Sequence, residues 1–117
     1  MLIGAWMKTV KEVDVDRQLY DLQAQLCKAF AHPARLQILD LLAKHEMPVS
    51  ELQAEVGVTT ANMYQHLAVL KSVGVVRSRR EGKTIYCSLA IPEVKQACLL
   101  IRNVLRANLR MQSDLLY

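Results

Sequence analysis

Apolar positions along the chain recur first at helical spacing, then at every second residue, then at helical spacing again. From about Asp16 to Ala31 a helix is predicted. Val15, Leu19, Leu22, Leu26 and Phe30 form one stripe and Tyr20, Ala24, Cys27 and Ala31 a second. Two apolar faces on one helix require two surfaces to bury against. The segment HPARLQILDLLAKH restarts a helix, because Pro33 suits a first helical position and opposes continuation through His32. Leu36, Ile38, Leu39 and Leu42 are its expected buried face.

In PVSELQAEVGV, Ser50 followed by Gln53 matches a capping box, with Val49 and Ala54 at the staple positions. That short helix is expected to stop at Gly57, and the next to start at Thr59 or Thr60 as N-cap. Met63, Leu67, Leu70 and Val73 line the inner face of this fourth helix, and Gly74 closes it. Two helices joined by a tight glycine-containing turn form a helix-turn-helix pattern. The period then becomes two. VVRSRREGKTIYCSL predicts a hairpin around Glu-Gly, with Ile85, Cys87 and Leu89 on one face and Thr84, Tyr86 and Ser88 on the other. From Pro92 a long fifth helix carries Val94, Ala97, Cys98, Ile101, Val104 and Leu105 in one stripe, with Arg102, Arg106 and Arg110 on a neighbouring line. The order predicts a mainly α fold with a small β-hairpin, a winged helix-turn-helix of about five helices.

Length adds that residues 1–117 suit a single domain, with 1–15 as a flexible arm. Charge adds a direction. Lys and Arg number 15 against 11 Asp and Glu, and the stretch Thr59 to Lys83 alone carries as much net charge as the whole chain, +4. His45 to Val58 holds Glu46, Glu51 and Glu55 and no Lys or Arg. Three cysteines at unrelated spacings, without a CxxC pair or a basic-flanked leader, fit a reducing cytoplasm. No apolar run reaches the roughly 18 residues of a membrane span.

Polar residues crowd the start of the fourth helix: Thr59, Thr60, Asn62, Tyr64 and Gln65. A helix N-terminus offers free N–H groups and partial positive charge to phosphate, and short polar side chains there can reach base edges in the major groove. Taken alone, the pattern serves equally well as the wet side of a structural helix. The hairpin beside it tips the balance toward double-stranded DNA. Arg77, Arg79, Arg80 and Lys83 on a protruding ribbon, with Lys71 nearby, can neutralise phosphates, a contribution to affinity rather than to sequence choice. His66 lies at the edge of the buried face and suits packing or a phosphate contact. His32 reads as a helix cap and His45 as a loop residue, so a local metal site has little support. Each cysteine reads as a small hydrophobe. The functional alternative makes Cys27 and Cys98 sensor thiols, forming a redox switch or a site for a soft metal ion or metalloid. No nucleophile-base pair, paired acid or phosphate-cradling glycine loop appears, so the reading is not that of an enzyme. The competing class is a protein-interaction module docking through the line of Arg102, Arg106 and Arg110.

The segments LCKAFAHPARLQILDLL, VSELQAEVGV, ANMYQHLAVLKSVGVVRSRREGKTIYCSL and IPEV resemble, in this order, the signature segments of the ArsR/SmtB winged-helix repressors. The resemblance implies a homodimer built from the first and last helices. It also implies repression through a near-palindromic operator, recognition helices about 34 Å apart, and release by a small inducer. Three departures narrow that inducer. Metal-sensing relatives often carry a Cys-x-Cys cluster before the recognition helix, which SELQAEVGV lacks, or Asp and His along the last helix, which PEVKQACLLIRNVLRANLRMQ lacks. The persulfide-sensing branch pairs a cysteine of the second helix with one of the last; here Asp40 is in the second helix and Cys27 one helix earlier. Tyr64 stands where many relatives have serine, which points to a different operator preference.

Overall fold

The computed structural model describes residues 15–116, so the expected arm over residues 1–15 falls, except for Val15, outside the described residues. Eight elements follow in order: α1 Val15–Phe30, α2 Pro33–Leu42, β1 Met47–Pro48, α3 Val49–Val56, α4 Thr60–Ser72, β2 Val76–Glu81, β3 Thr84–Leu89 and α5 Glu93–Leu116. The strands form one antiparallel sheet in the order β1-β3-β2.

Helix boundaries follow local chemistry. Pro33 opens α2, and His32 caps it, its Nδ1 accepting the Ala34 N–H at 3.1 Å. Gly57, at φ 74°, ends α3 in the left-handed region. At the end of α4, Gly74 has φ 79°; its N–H donates to the Lys71 carbonyl and that of Val75 to the Leu70 carbonyl, a Schellman closure. The chain thus leaves α4 already turned toward β2.

Two local expectations are corrected. No capping box forms at Ser50: α3 begins at Val49 with Pro48 as N-cap and no side-chain cap bond. Pairing of Met47 and Pro48 with Cys87 and Tyr86 fixes the chain two residues earlier, and the fixed φ of proline leads directly into the helix. The staple positions become Met47 and Leu52, both buried, and Gln53 is released to reach α4. Leu36 is not in the buried face of α2. Ile38, Leu39 and Leu42 form that face, and at 100° per residue Leu36 falls to one side of it, 40% exposed.

The core gathers Ala29 and Phe30 of α1, the α2 trio, Met47, Val49, Leu52, then Met63, Leu67 and Leu70 of α4, with Val75, Val76, Cys87 and Val94. It is closed by the turn of α3 and α4 on one side and the sheet on the other. Among the described residues α5 enters it only at its first turns, through Val94 and half-buried Cys98. At 1.5 Å per residue, the 24 residues of α5 project about 36 Å.

Candidate nucleic-acid interface

Three helices and the sheet place the polar edge of α4. Met63, Leu67 and Leu70 are at most 1% exposed and anchor its inner face. The opposite side at the N-terminal end is therefore held outward. The Thr59 hydroxyl accepts the Asn62 N–H at 3.1 Å as N-cap, so this side chain orders the helix start. Thr60 pairs with Gln53 of α3, its Oγ1 lying 3.0 Å from Nε2 and 3.2 Å from Oε1. That pair ties the two helices across the turn. Asn62, Tyr64 and Gln65 are exposed, without a side-chain hydrogen bond inside the described residues.

The hairpin splits its basic residues by face. Register pairs Val76 with Leu89, Ser78 with Cys87 and Arg80 with Ile85; buried Val76 and Cys87 mark this as the side turned to the core and α4. Arg77, Arg79 and Glu81, opposite Ser88, Tyr86 and Thr84, belong to the outer side. The strands close through Gly82 and Lys83, with φ 64° at Gly82, the conformation that glycine supplies at the first central position of a two-residue hairpin turn. Ile85, Cys87 and Leu89 share one face as expected from the alternation. The short β1 was not anticipated, because two residues that include proline carry no alternating pattern.

A groove runs between α3, α4 and the hairpin tip, lined by Ser50, Gln53, Thr60, Tyr64, Lys83 and Ile85 among others. Lys83 and Tyr64 thus meet on one surface. Among the described residues neither Arg80 nor Lys83 forms an ion pair. Arg79 is held differently: its Nη2 is 2.7 Å from Glu46 Oε1 and its Nη1 2.7 Å from Glu81 Oε2. The hydrogen bond from Arg79 holds the Glu46 carboxyl below its usual range, and the two carboxylates raise the Arg79 pKa. Arg77 approaches Ser88 Oγ at 3.4 Å. Lys71 sits at the far end of α4, about 16 Å along its axis from Thr60, beside Leu22 and Leu26 of α1.

His66 turns inward to α2. Its Nδ1 is 3.3 Å from Arg35 Nη1, and its ring lies 4.5 Å from that of His32. Burial, then the charges of His32 and Arg35, lower its pKa. Sequence spacing alone did not reveal Glu46, Arg35 or Gln53 as site-shaping residues, since each acts on a partner in another element.

The thiols face different surroundings. Cys27 is exposed on α1, Cys87 is fully buried in the sheet, and Cys98 lines a cavity of about 220 Å³ between α2 and α5, with Leu39, Asp40, Lys95, Leu99 and Arg102. Cys27 is not among its walls. Burial raises the thiol pKa of both Cys87 and Cys98, which keeps them protonated. Arg102 caps the cavity through Asp40 at 2.9 Å. Within the chain α1 packs on α2 and α4, and α5 packs on α2.

Among the described residues, no helix is long and apolar enough to cross a membrane, and no three His, Cys, Asp or Glu side chains gather to hold a metal ion.

Comparison with known proteins agrees with this geometry. A family described as a helix-turn-helix domain matches residues 30–79. An uncharacterised HTH-type transcriptional regulator of Mycobacterium tuberculosis is 41% identical over 88 residues, covering 74% of this chain and 77% of the relative. A biofilm growth-associated repressor of Agrobacterium fabrum is 43% identical over 67 residues, 57% of each chain. Among solved structures, the chain superposes at a TM-score of 0.75 and 36% identity on the homodimeric winged helix-turn-helix DNA-binding domain of a Mycobacterium bovis protein, a possible ArsR-family transcriptional regulator. That match covers 84% of this chain and 91% of the other.

Proposed function

The chain belongs to the ArsR/SmtB family of winged helix-turn-helix, DNA-binding transcriptional regulators, and from that premise we propose that it represses its target as a homodimer on a near-palindromic operator in the cytoplasm. The N-terminal edge of α4 enters the major groove, where Asn62, Tyr64 and Gln65 read base edges. Thr59 and Thr60 set the helix start and the turn rather than supplying free hydroxyls. Arg80 and Lys83 contact the phosphates that run along the groove between α4 and the hairpin. Arg77 and Lys71 lie farther from that line and add to the positive field. His66 acts from behind, by packing. The observation that carries this reading is the convergence of Tyr64, Thr60 and Lys83 on one groove at the exposed start of α4.

Dimerisation is supported by the unpartnered faces of the terminal helices. On α5, Leu100, Ile101, Val104, Leu105 and Leu109 are each more than half exposed, and on α1 Leu19 and Leu22 are 44% and 50% exposed. Apolar surface on that scale marks an interaction face. A two-fold partner covers it and presents two α4 helices to successive major grooves. Release follows when an inducer alters the packing of α5; sensing through Cys27 and Cys98 would then join thiols of two chains, since they do not share one cavity within a chain.

The test is a titration of duplex DNA from upstream of the protein's own gene, by fluorescence anisotropy at several salt concentrations. Binding resistant to unrelated competitor DNA is expected. Removing Arg80 or Lys83 from both chains of a dimer lowers the slope of log affinity against log salt by about two. Asn62→Ala or Gln65→Ala changes sequence preference at a cost of about 1–3 kcal/mol and leaves the slope unaltered. Equal affinity for unrelated duplexes would defeat the reading.

A further inference from the structure

Arg79 stands at the middle of β2, on the outer face of the sheet, opposite Tyr86 in β3. Its guanidinium lies 4.5 Å over the Tyr86 ring, and its reach continues past β3 to Glu46, the residue that precedes β1. There Nη2 donates to Oε1 at 2.7 Å, and Nε is 3.2 Å from both carboxylate oxygens. The remaining side of the fork donates to Glu81 Oε2 at 2.7 Å. One side chain thus reaches from β2 across β3 to the residue just before β1.

We propose that Arg79 is a positioning residue that fixes the direction of the hairpin relative to α4, with Glu46 as its anchor, and that it is not one of the phosphate contacts. The inference rests on the DNA-binding reading and refines which basic residues do what within it. Three observations carry it. The guanidinium is already shared between two carboxylates, and with Arg77 beside Glu46 the local charge sums to zero, so a phosphate would have to displace both partners. On that face Arg79 stands back from the hairpin tip and is not among the residues lining the groove that holds Tyr64 and Lys83. Among the described residues the only strand joining the hairpin to the chain before α3 is β1, two residues long, which leaves the ladder a weak control on hairpin angle. A planar, bidentate arginine pair supplies the missing control, because it accepts a narrow range of directions. An exposed pair adds little to folding stability, so its contribution lies in orientation.

The test preserves charge. Arg79→Lys keeps the cation but loses the fork, and Glu46→Asp keeps the carboxylate but shortens its reach. Both are measured in the full-length protein on a duplex that the wild type binds selectively, beside Arg79→Ala and Arg80→Ala. Each of the two charge-preserving variants is expected to weaken binding about two- to fivefold, the scale of an exposed ion pair. Their salt slopes match the wild type, their melting temperatures are unchanged, and the double variant loses no more than either alone. Arg79→Ala keeps a steep slope, whereas Arg80→Ala flattens it. The proposal is overturned if Glu46→Asp tightens binding by freeing Arg79 for phosphate, if Arg79→Lys binds as the wild type does, or if Arg79→Ala flattens the slope as much as Arg80→Ala. A wild type that binds no duplex selectively removes the DNA-binding reading itself, a failure seen before any variant is made.

Discussion

Arg35 occupies the seam between α2 and α4, its Nε donating to the Ala29 carbonyl at 2.6 Å and its Nη1 to His66 Nδ1 at 3.3 Å. An arginine only donates, so His66 accepts through Nδ1 and carries its proton on Nε2. Burial disfavours a second proton on the ring, and its charge would also face His32 and Arg35, so the His66 pKa is below its ordinary 6.5. A depressed folded-state value means that the unfolded chain binds the proton more readily. Stability is then fully present above about pH 6.5 and is lost as pH falls through the folded-state value. Equilibrium unfolding between pH 7.5 and 5 should show the wild type losing more stability than His66→Gln, which keeps an acceptor without titrating. Parallel curves would contradict the assignment. The lower limit avoids Glu46, whose pKa lies below 4.5. In the sequence, His66 could be placed at the edge of a buried face but not given its partner, which lies 31 residues away. The same limit concealed the Arg79–Glu46 pair, 33 residues apart, so Arg79 read as one more phosphate contact among its neighbours.

Helix stops were legible because glycine does there what other residues do only at a cost. Gly57 at φ 74° turns the chain between α3 and α4, and a Cβ built on it meets nothing within 4 Å. Gly57→Ala therefore has a backbone cost alone, about 1–2 kcal/mol in chemical denaturation. No change in the midpoint at constant m would mean that the turn does not depend on the left-handed geometry. The break at Pro33 and the change of period after Gly74 were readable for similar local reasons, and the hairpin faces came from its alternation. The start of α3 was not. Ser50 and Gln53 fit a capping box, yet pairing of Met47 and Pro48 in the sheet set the boundary first. Tertiary pairing overrode a local signal, and no pattern within the segment announces a two-residue strand.

At the scale of the molecule the shape is extended, 52 × 46 × 22 Å, with a radius of gyration of 17.4 Å where a compact chain of this length has about 13 Å. The excess reflects helices whose apolar faces find no cover within the chain. The sequence showed those faces as a doubled stripe on α1 and a long one on α5, but could not say that, among the described side chains of α5, only Val94 is buried. Charge is polarised to match: acidic residues precede α4, and the basic ones lie along the hairpin beside it. A two-fold dimer assembled through the terminal helices accounts for both features, because it buries the stripes and points two basic, polar edges the same way. Selection of binding sites by the full-length protein from a randomised duplex library tests this most directly. An enriched inverted repeat with half-sites about one helical turn apart, 10–10.5 base pairs centre to centre, is the predicted result. A library that yields no preferred sequence, or only a single unrepeated half-site, would contradict it.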